Sequence, residues 1–461
     1  MSKQKATISS KRALRRTKGD DTSPIAPKQC LIQRLPSEVL VKILDYLDAS
    51  SLFCISHVNK FFNRLANDDT IWLKLYLSGG ENWRPKGAVG KLGTAAPAKV
   101  QVSAGHWKRQ YLKARAGYNV AEWMRDLQAI SPYTGLPSQT ESVLRNRRVS
   151  WELTVSPHCG REAVFEQTQV HFFQSALTVC WSQSSWPPYS NVSSLQLHGV
   201  VRVALNCPSL QRPGWRSLMG TFDAENLSKR SLVIGHDILV KVMLLQPGLV
   251  VGIWRGTASI AFVIACFHFH RLVERSLLGS SICPYSEPVN NVLFDDIDPE
   301  YGLHGYTLHI VLHNTVAEIM CGHFSQLFCR KAQIQNGHIE LVAISRTNLS
   351  QHTPLSGNIT LPWKCEALDG TVENICLMSF TLLDEAQHPF WCVSSPVSMV
   401  PAKKPVSYDY DGEHFALRYL HPEGQVAMEL VRIEQHKQLF LIDLRLHVAL
   451  QKVNCHFGKS Y

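Results

Sequence analysis

Residues 35–47 read LPSEVLVKILDYL, and the placement of their apolar side chains decides how the N-terminal part of the chain folds. At about 100° per residue on a helical wheel, Val39, Leu40, Ile43, Leu44, Tyr46 and Leu47 cover an arc of about 160°. Val41 extends the arc to about 220°. Glu38, Lys42 and Asp45 share the remainder. A surface helix that packs on one core needs an apolar stripe of only about 100°. The surplus calls for two apolar partners, one the rest of its own domain and the other a second protein.

The neighbouring residues read as further short helices. Pro36 suits a first helical turn, where its missing N–H costs nothing. Asp48 stands where an N-cap would start a helix through Leu52 and Ile55. "NKFFNRLAN" places Phe61, Phe62, Leu65 and Ala66 at helical spacing, and "DDTIWLKLYL" adds a turn or two behind an Asp-Asp-Thr cap. Residues 79–104, rich in Gly, Ala, Pro and Lys, read as a loop or linker. "GHWKRQYLKARAGYNVAEWMRDLQAI" reads as helix in two pieces around Gly117, closed by the turn residues of "SPYTGLP". Ser138 and Glu141 fit a capping box for one more short helix.

The texture changes near residue 149. Short β-rich runs follow one another, among them "RVSWELTV", "QSALTVCW", "DILVKVMLL", "SIAFVIACFHFH", "YTLHIVLH", "NICLMSFTLLD" and "LFLIDLRLHVAL". Pro247-Gly248 and Arg255-Gly256-Thr257 sit where turns would join residues 238–267 into a three-strand meander. More than a dozen such runs with few helices predict an α+β chain. Its small helical module (31–78) and helical linker (79–148) precede a large antiparallel barrel or sandwich, one or two, at 149–461.

Taken together, "LIQRLPSEVLVKILDYLDASSLFCISHVNKFFNRLANDDTIWLKLYL" resembles an F-box. Leu35-Pro36 opens the pattern, followed by Val39, Leu40, Ile43, Leu44 and Leu47. Leu52, Val58 to Lys60, Phe62, Leu65 and Trp72 complete it. Phe62 stands where many members have Trp, a conservative change. "SPYTGLP", "FHFHRLVERSLLGS", "DPEYGLHGYTLHI" and "LLDEAQHPFWCVSSP" extend the likeness to one member of that family as far as the C-terminus.

The resemblance implies a helical trio that interleaves with a Skp-type adaptor, itself bound by a cullin carrying a RING subunit. It implies adaptor contacts from Leu35, Pro36, Val39, Leu40, Ile43, Leu44, Leu47, Leu52 and Val58. Phe62, Leu65 and Trp72 then form the module's own core. The chain would be a non-catalytic substrate receptor, without cofactor or metal, whose β-rich region selects an unidentified protein target.

Charge and cysteines bear on the alternatives. Residues 1–30 hold eight Lys or Arg and two Asp, +6 of the total +10, which leaves +4 on the other 431 residues. A broad phosphate-binding face is not expected there. The first 30 residues read as a disordered basic tail, in which "KRALRRTK" (11–18) is either a nuclear-import signal or a solvated tail. A nucleic-acid or chromatin-binding protein is the second reading, with the tail and a helix-turn-helix formed from the helical segment. Its recognition helix would offer only Lys60 and Arg64, ahead of Asp68 and Asp69.

No apolar run follows the start and none reaches the ~18 residues of a membrane span, so neither a secretory signal nor a membrane segment is expected. Thirteen cysteines contain no C-x-x-C pair, the closest two being Cys321 and Cys329. Zinc knuckles are therefore not expected, and the thiols point to a reducing cytoplasmic or nuclear location. "CFHFH" sets Cys266, His268 and His270 on one strand face, either a metal or target site or a buried polar row, with His304, His309 and His313 as further candidates. "GAVGKLG" (87–93) fails as a phosphate loop, because Leu92 follows Lys91 and Pro85 stands at the first glycine. "SQSSWPPYSN" (182–191) is either an exposed aromatic anchor or a cap on a barrel end.

Overall fold

The computed structural model describes residues 32, 35–79, 105–115, 127, 129–183, 185–202, 214–246, 248–270, 272, 305–330, 334–402, 409–433, 437–458 and 460–461. Four short helices open it: α1 (Ser37–Leu44), α2 (Ala49–Ser56), α3 (Lys60–Ala66) and α4 (Asp69–Ser78). The chain turns sharply between them because polar side chains satisfy the first N–H groups of each new helix. Asp48 accepts from Ser51 N, Asn59 from Phe62 N, and Asp68 from Thr70 N. Asp69 does the same for α5 (His106–Arg115), taking Gly105 N at 3.0 Å and Trp107 N at 3.2 Å. The basic tail, the "GAVGKLG" loop and, apart from residues 127, 129 and 130, the helical piece expected beyond Gly117 lie outside the described residues.

One expectation fails here. Helix α6 (Thr140–Asn146) has no side-chain cap, and Ser138 and Glu141 form no capping box. The Ser138 hydroxyl donates to Ala129 O at 2.9 Å, and Glu141 pairs with Arg145 at 2.7 Å. Gly135, in the turn before α6, has φ +60°, and any Cβ there would run into Leu383. That turn is therefore pinned against the C-terminal sheet.

The β-rich part begins with a sandwich. A four-stranded antiparallel sheet has the order β2 (Ala163–Glu166), β1 (Val149–Pro157), β5 (Val192–Arg202), β6 (Gly214–Asp223). It packs on a six-stranded sheet with the order β3 (Gln169–Phe172), β4 (Ala176–Trp181), β10 (Ile260–His268), β9 (Leu249–Trp254), β8 (Val240–Leu245), β7 (Leu232–Val233). Strands β8, β9 and β10 are the expected meander. Trp151, Leu153, Val155, Leu195 and Leu197 from one sheet meet Leu177, Val179, Trp181, Val251 and Val263 from the other in one core. That core also holds Leu44, Leu52, Trp72, Tyr111 and Leu144. The secondary structure changes at residue 149, but the apolar core runs across that boundary without a break.

The second β unit is a nine-stranded sheet. Its main path runs β12 (Glu318–Leu327), β11 (Tyr306–His313), β17 (Ile375–Leu383), β18 (Pro389–Pro401), β19 (Gly412–His421), β20 (Gly424–Ile433), β21 (Gln438–Ala449), β13 (His338–Ile344), with β14 (Thr353–Pro354) also on β21. The end strands β12 and β13 approach each other, which curls the sheet into a nearly closed barrel. Its interior is filled by residues such as Leu308, Ile310, Phe380, Leu417, Met428 and Leu444. A separate hairpin, β15 (Thr360–Lys364) with β16 (Asp369–Glu373), packs with β17 on the face of the six-stranded sheet opposite the sandwich core.

Candidate functional site

The structure divides the apolar surface of α1. Leu40 and Leu44 are turned inward and buried, with Val41 packed behind them. Val39 and Ile43 are turned outward, 43% and 49% exposed, with Leu35 at 41% one turn before and Tyr46 at 88% one turn after. Pro36 is exposed as well. Leu47, between the two arcs, is half-buried against the core. Leu52 in α2 is fully buried, and Val58 in the next connection is 66% exposed.

Three of the residues expected at a partner surface, Leu40, Leu44 and Leu52, are thus interior residues here. The wheel places them next to exposed neighbours but does not say which arc the rest of the module covers. Phe62 is the second correction. It is half-buried and stands edge-on to Phe61 at 5.6 Å, outside the core cluster that contains Leu65 and Trp72. Trp72 is fully buried, and its indole N–H donates to Ala66 O at 2.8 Å. Tyr111 meets the Trp72 ring edge-on at 5.3 Å, so α5 supplies an aromatic to this core.

Ile32 and Tyr46, outside the set expected at the partner surface, are apolar and exposed as well. Tyr46 lay inside the helical arc and was the available signal. Beside it, Lys74 pairs with Asp45 at 2.6 Å and lies 5.8 Å from the Tyr46 ring centre. Lys108 of α5 is half-buried among Phe53 and Trp72 and bonds Asn67 Oδ1 at 2.6 Å; burial lowers its pKa.

Cys266, His268 and His270 are buried, and partners for the first two come from the barrel. Cys266 Sγ lies 3.7 Å from Ser379 Oγ and 3.8 Å from His313 Nε2, which itself meets Ser379 Oγ at 3.1 Å. His268 Nε2 meets Thr381 Oγ1 at 3.0 Å. This row is a polar seam between the six-stranded sheet and the barrel. Burial pushes His313 down to about 4 and raises the Cys266 thiol, so neutral forms face each other there. His309 is buried in the same region, whereas His304 lies outside the described residues. No group of three or more His, Cys, Asp or Glu suited to a metal ion occurs among the described residues. Trp186 is buried against Phe165 at 4.3 Å, so "SQSSWPPYSN" caps the sandwich.

No helix of the described residues is long and apolar enough to cross a membrane. Capped short helices, a shared Trp72 core and an outward apolar row define a helical module joined to a β-rich body. Residues 32–78 match the F-box-like domain, which places the chain among the F-box proteins. The likeness runs far beyond that domain. The chain is 37% identical to F-box only protein 15 of Macaca fascicularis over 439 residues, 93% of this chain and 100% of the relative. It is 38% identical to the Bos taurus protein over 442 residues, 93% of this chain and 94% of the relative. Against the Homo sapiens protein it is 37% identical over 436 residues, 93% of this chain and 85% of the relative. The chain belongs to the F-box only protein 15 family.

Proposed function

We propose that this chain is the substrate-recognition subunit of a Skp–cullin–F-box ubiquitin ligase. F-box proteins generally are non-catalytic receptors of such ligases, and an F-box implies binding to a Skp-type adaptor. The observation that carries the reading to this chain is the outward row Leu35, Val39, Ile43 and Tyr46, apolar and uncovered among the described residues. In this reading that row, with Pro36 and Val58, meets the adaptor. Leu40, Leu44, Leu47 and Leu52 hold the row in shape from beneath. The cullin and its RING subunit follow through the adaptor, and the β-rich region chooses the protein target.

The chemistry is positional. A receptor that holds a target near the ubiquitin thioester raises the effective concentration of a target lysine, and no nucleophile of its own is needed. The buried Cys266, His313 and Ser379 row fits this, being packed as a seam between sheets. The nucleic-acid alternative gains nothing from the geometry, since Asp68 and Asp69 beside the candidate recognition helix cap α4 and α5. The basic tail supports a nuclear or cytoplasmic location. Deleting residues 1–28 tests that: adaptor capture stays, and any nuclear fraction falls.

The test of the main reading is co-purification of the full chain with adaptor and cullin, repeated without residues 32–78. Wild-type recovery of the adaptor by the deleted chain would refute it.

A further inference from the structure

Among the described residues, strands β18 and β19 pair at one end alone. Their register runs from Met399↔Leu417 to Pro401↔Phe415, although β18 starts at Pro389 and β19 continues to His421. Ahead of Met399, β18 stays with β17, and beyond Leu417, β19 stays with β20. The barrel wall forks there. In the fork lies a pocket of about 240 Å³, with Trp391 to Ser395 of β18 and Tyr419 to His421 of β19 along its sides. The sandwich supplies further walls through Leu197, Phe222, Leu249 and Phe267. Cys266 and His268, at the end of the polar seam, line it as well.

Size limits the occupant first. A dry cavity of about 150 Å³ accepts benzene, and pockets for drug-sized ligands begin near 300 Å³. The fork pocket lies between the two, which suits a single aromatic side chain. Its rim carries Leu420, 73% exposed, so apolar surface continues outward from the opening. Charge limits the occupant next. At the mouth Glu423 pairs with Lys452 at 3.2 Å and lies 3.8 Å from His421. Burial raises the Cys266 thiol and keeps it protonated at the inner end. A neutral group fits.

Hydrogen-bond direction decides the rest. His313 Nδ1 is 3.0 Å from Asn314 O, and a carbonyl only accepts, so that nitrogen carries the ring proton. Burial keeps the ring neutral, which leaves Nε2 an acceptor. The Ser379 hydroxyl donates to it at 3.1 Å, and the Ser394 hydroxyl donates to Ser379 Oγ at 2.9 Å. Ser395 gives its own proton to Pro396 O at 3.2 Å. Each hydroxyl has one proton, so both serine oxygens that line the pocket keep lone pairs alone. They accept from an occupant and cannot donate to it. Leucine or phenylalanine would leave them unused, whereas an indole N–H or a phenol O–H matches them.

We propose that the pocket in the β18–β19 fork takes one tryptophan or tyrosine side chain of the target protein, whose N–H or O–H donates to Ser394 or Ser395. This rests on the receptor reading above and names the target-binding site within it.

The experiment uses the full chain bound to the adaptor and a phage-displayed library of random eight-residue peptides. The expected result is enrichment of clones that share one Trp or Tyr. Synthetic versions with Phe at that position should bind about fivefold more weakly, the loss of one hydrogen bond. With Ser394→Ala and Ser395→Ala together, that preference over Phe should fall below twofold, a change that general loosening of the fold would not produce. Gly220 of β6 also lines the pocket, on the strand face of Phe222, and a Cβ there meets Phe222 at 3.7 Å, an ordinary contact. Gly220→Leu therefore has room, fills the pocket and should weaken the peptides at least tenfold, with adaptor capture and thermal melting unchanged. Should Gly220→Leu fail to fold, Gln246→Trp at the exposed rim replaces it with the same expectation. No enrichment, enrichment of charged centres, Phe peptides that bind as well as Trp or Tyr ones, or peptides that bind the filled pocket within twofold of wild type would each overturn the proposal. So would free indole or p-cresol binding as tightly as the best peptide, because the occupant would then be a small molecule. A dimer of the chain that the filling variant dissociates would overturn it in favour of a second copy. Failure of the wild-type chain to capture the adaptor would instead overturn the receptor reading.

Discussion

Replacing Leu35, Val39 and Ile43 together by alanine separates adaptor binding from folding. The three side chains are 41%, 43% and 49% exposed, so roughly half of each still faces water in the free chain. Full burial of such a side chain stabilises by about 1.5–3 kcal/mol, so covering the exposed half contributes about 1 kcal/mol each. Their joint loss should weaken adaptor binding by about 3 kcal/mol, or roughly 100-fold in Kd. The fold should hardly notice, since surface changes away from caps and cores usually stay within about 0.5 kcal/mol. Leu44→Ala is the internal contrast. It empties a core position and should cost about 2–5 kcal/mol of stability. The assay is calorimetric titration of adaptor into the full chain, with melting curves of each variant. A triple variant that keeps adaptor affinity within threefold while melting like wild type would show that the outward row is not the interface.

Three further outcomes follow from particular residues. Trp72→Ala should destabilise by about 3–5 kcal/mol, whereas partly buried Phe62→Ala should cost about 1–2 kcal/mol, both read by urea unfolding. Asp69→Ala removes the acceptor for Gly105 N and Trp107 N, and should cost about 1 kcal/mol with faster amide exchange at the start of α5. Burial holds His309 and His313 down at about 4, against an unfolded value near 6.5. The unfolded chain therefore takes up protons first as pH falls. Stability is fully present above about pH 6.5, is lost between about 6.5 and 4, and levels off below, by at most about 3 kcal/mol per histidine. Unfolding midpoints that stay constant from pH 7.5 to 5 would contradict this. His309→Leu should flatten the slope.

By itself the sequence determined what depends on neighbours along the chain. Asp48 caps α2 because its side chain reaches an N–H three residues on. The runs at 240–268 pair because short turns return each strand to the last. The over-wide apolar arc of residues 39–47 was legible for the same reason, since helical angle follows from spacing alone. Only the tertiary structure decided which part of that arc is interior. It turned Leu40 and Leu44 in and Val39 and Ile43 out, and it set Tyr111 of α5 against Trp72. It also joined His268 to Thr381, 113 residues away, and laid Trp363 on Phe262. Spacing gives an angle or a strand face; what lies against that face depends on elements distant in sequence, which only the folded chain brings into contact.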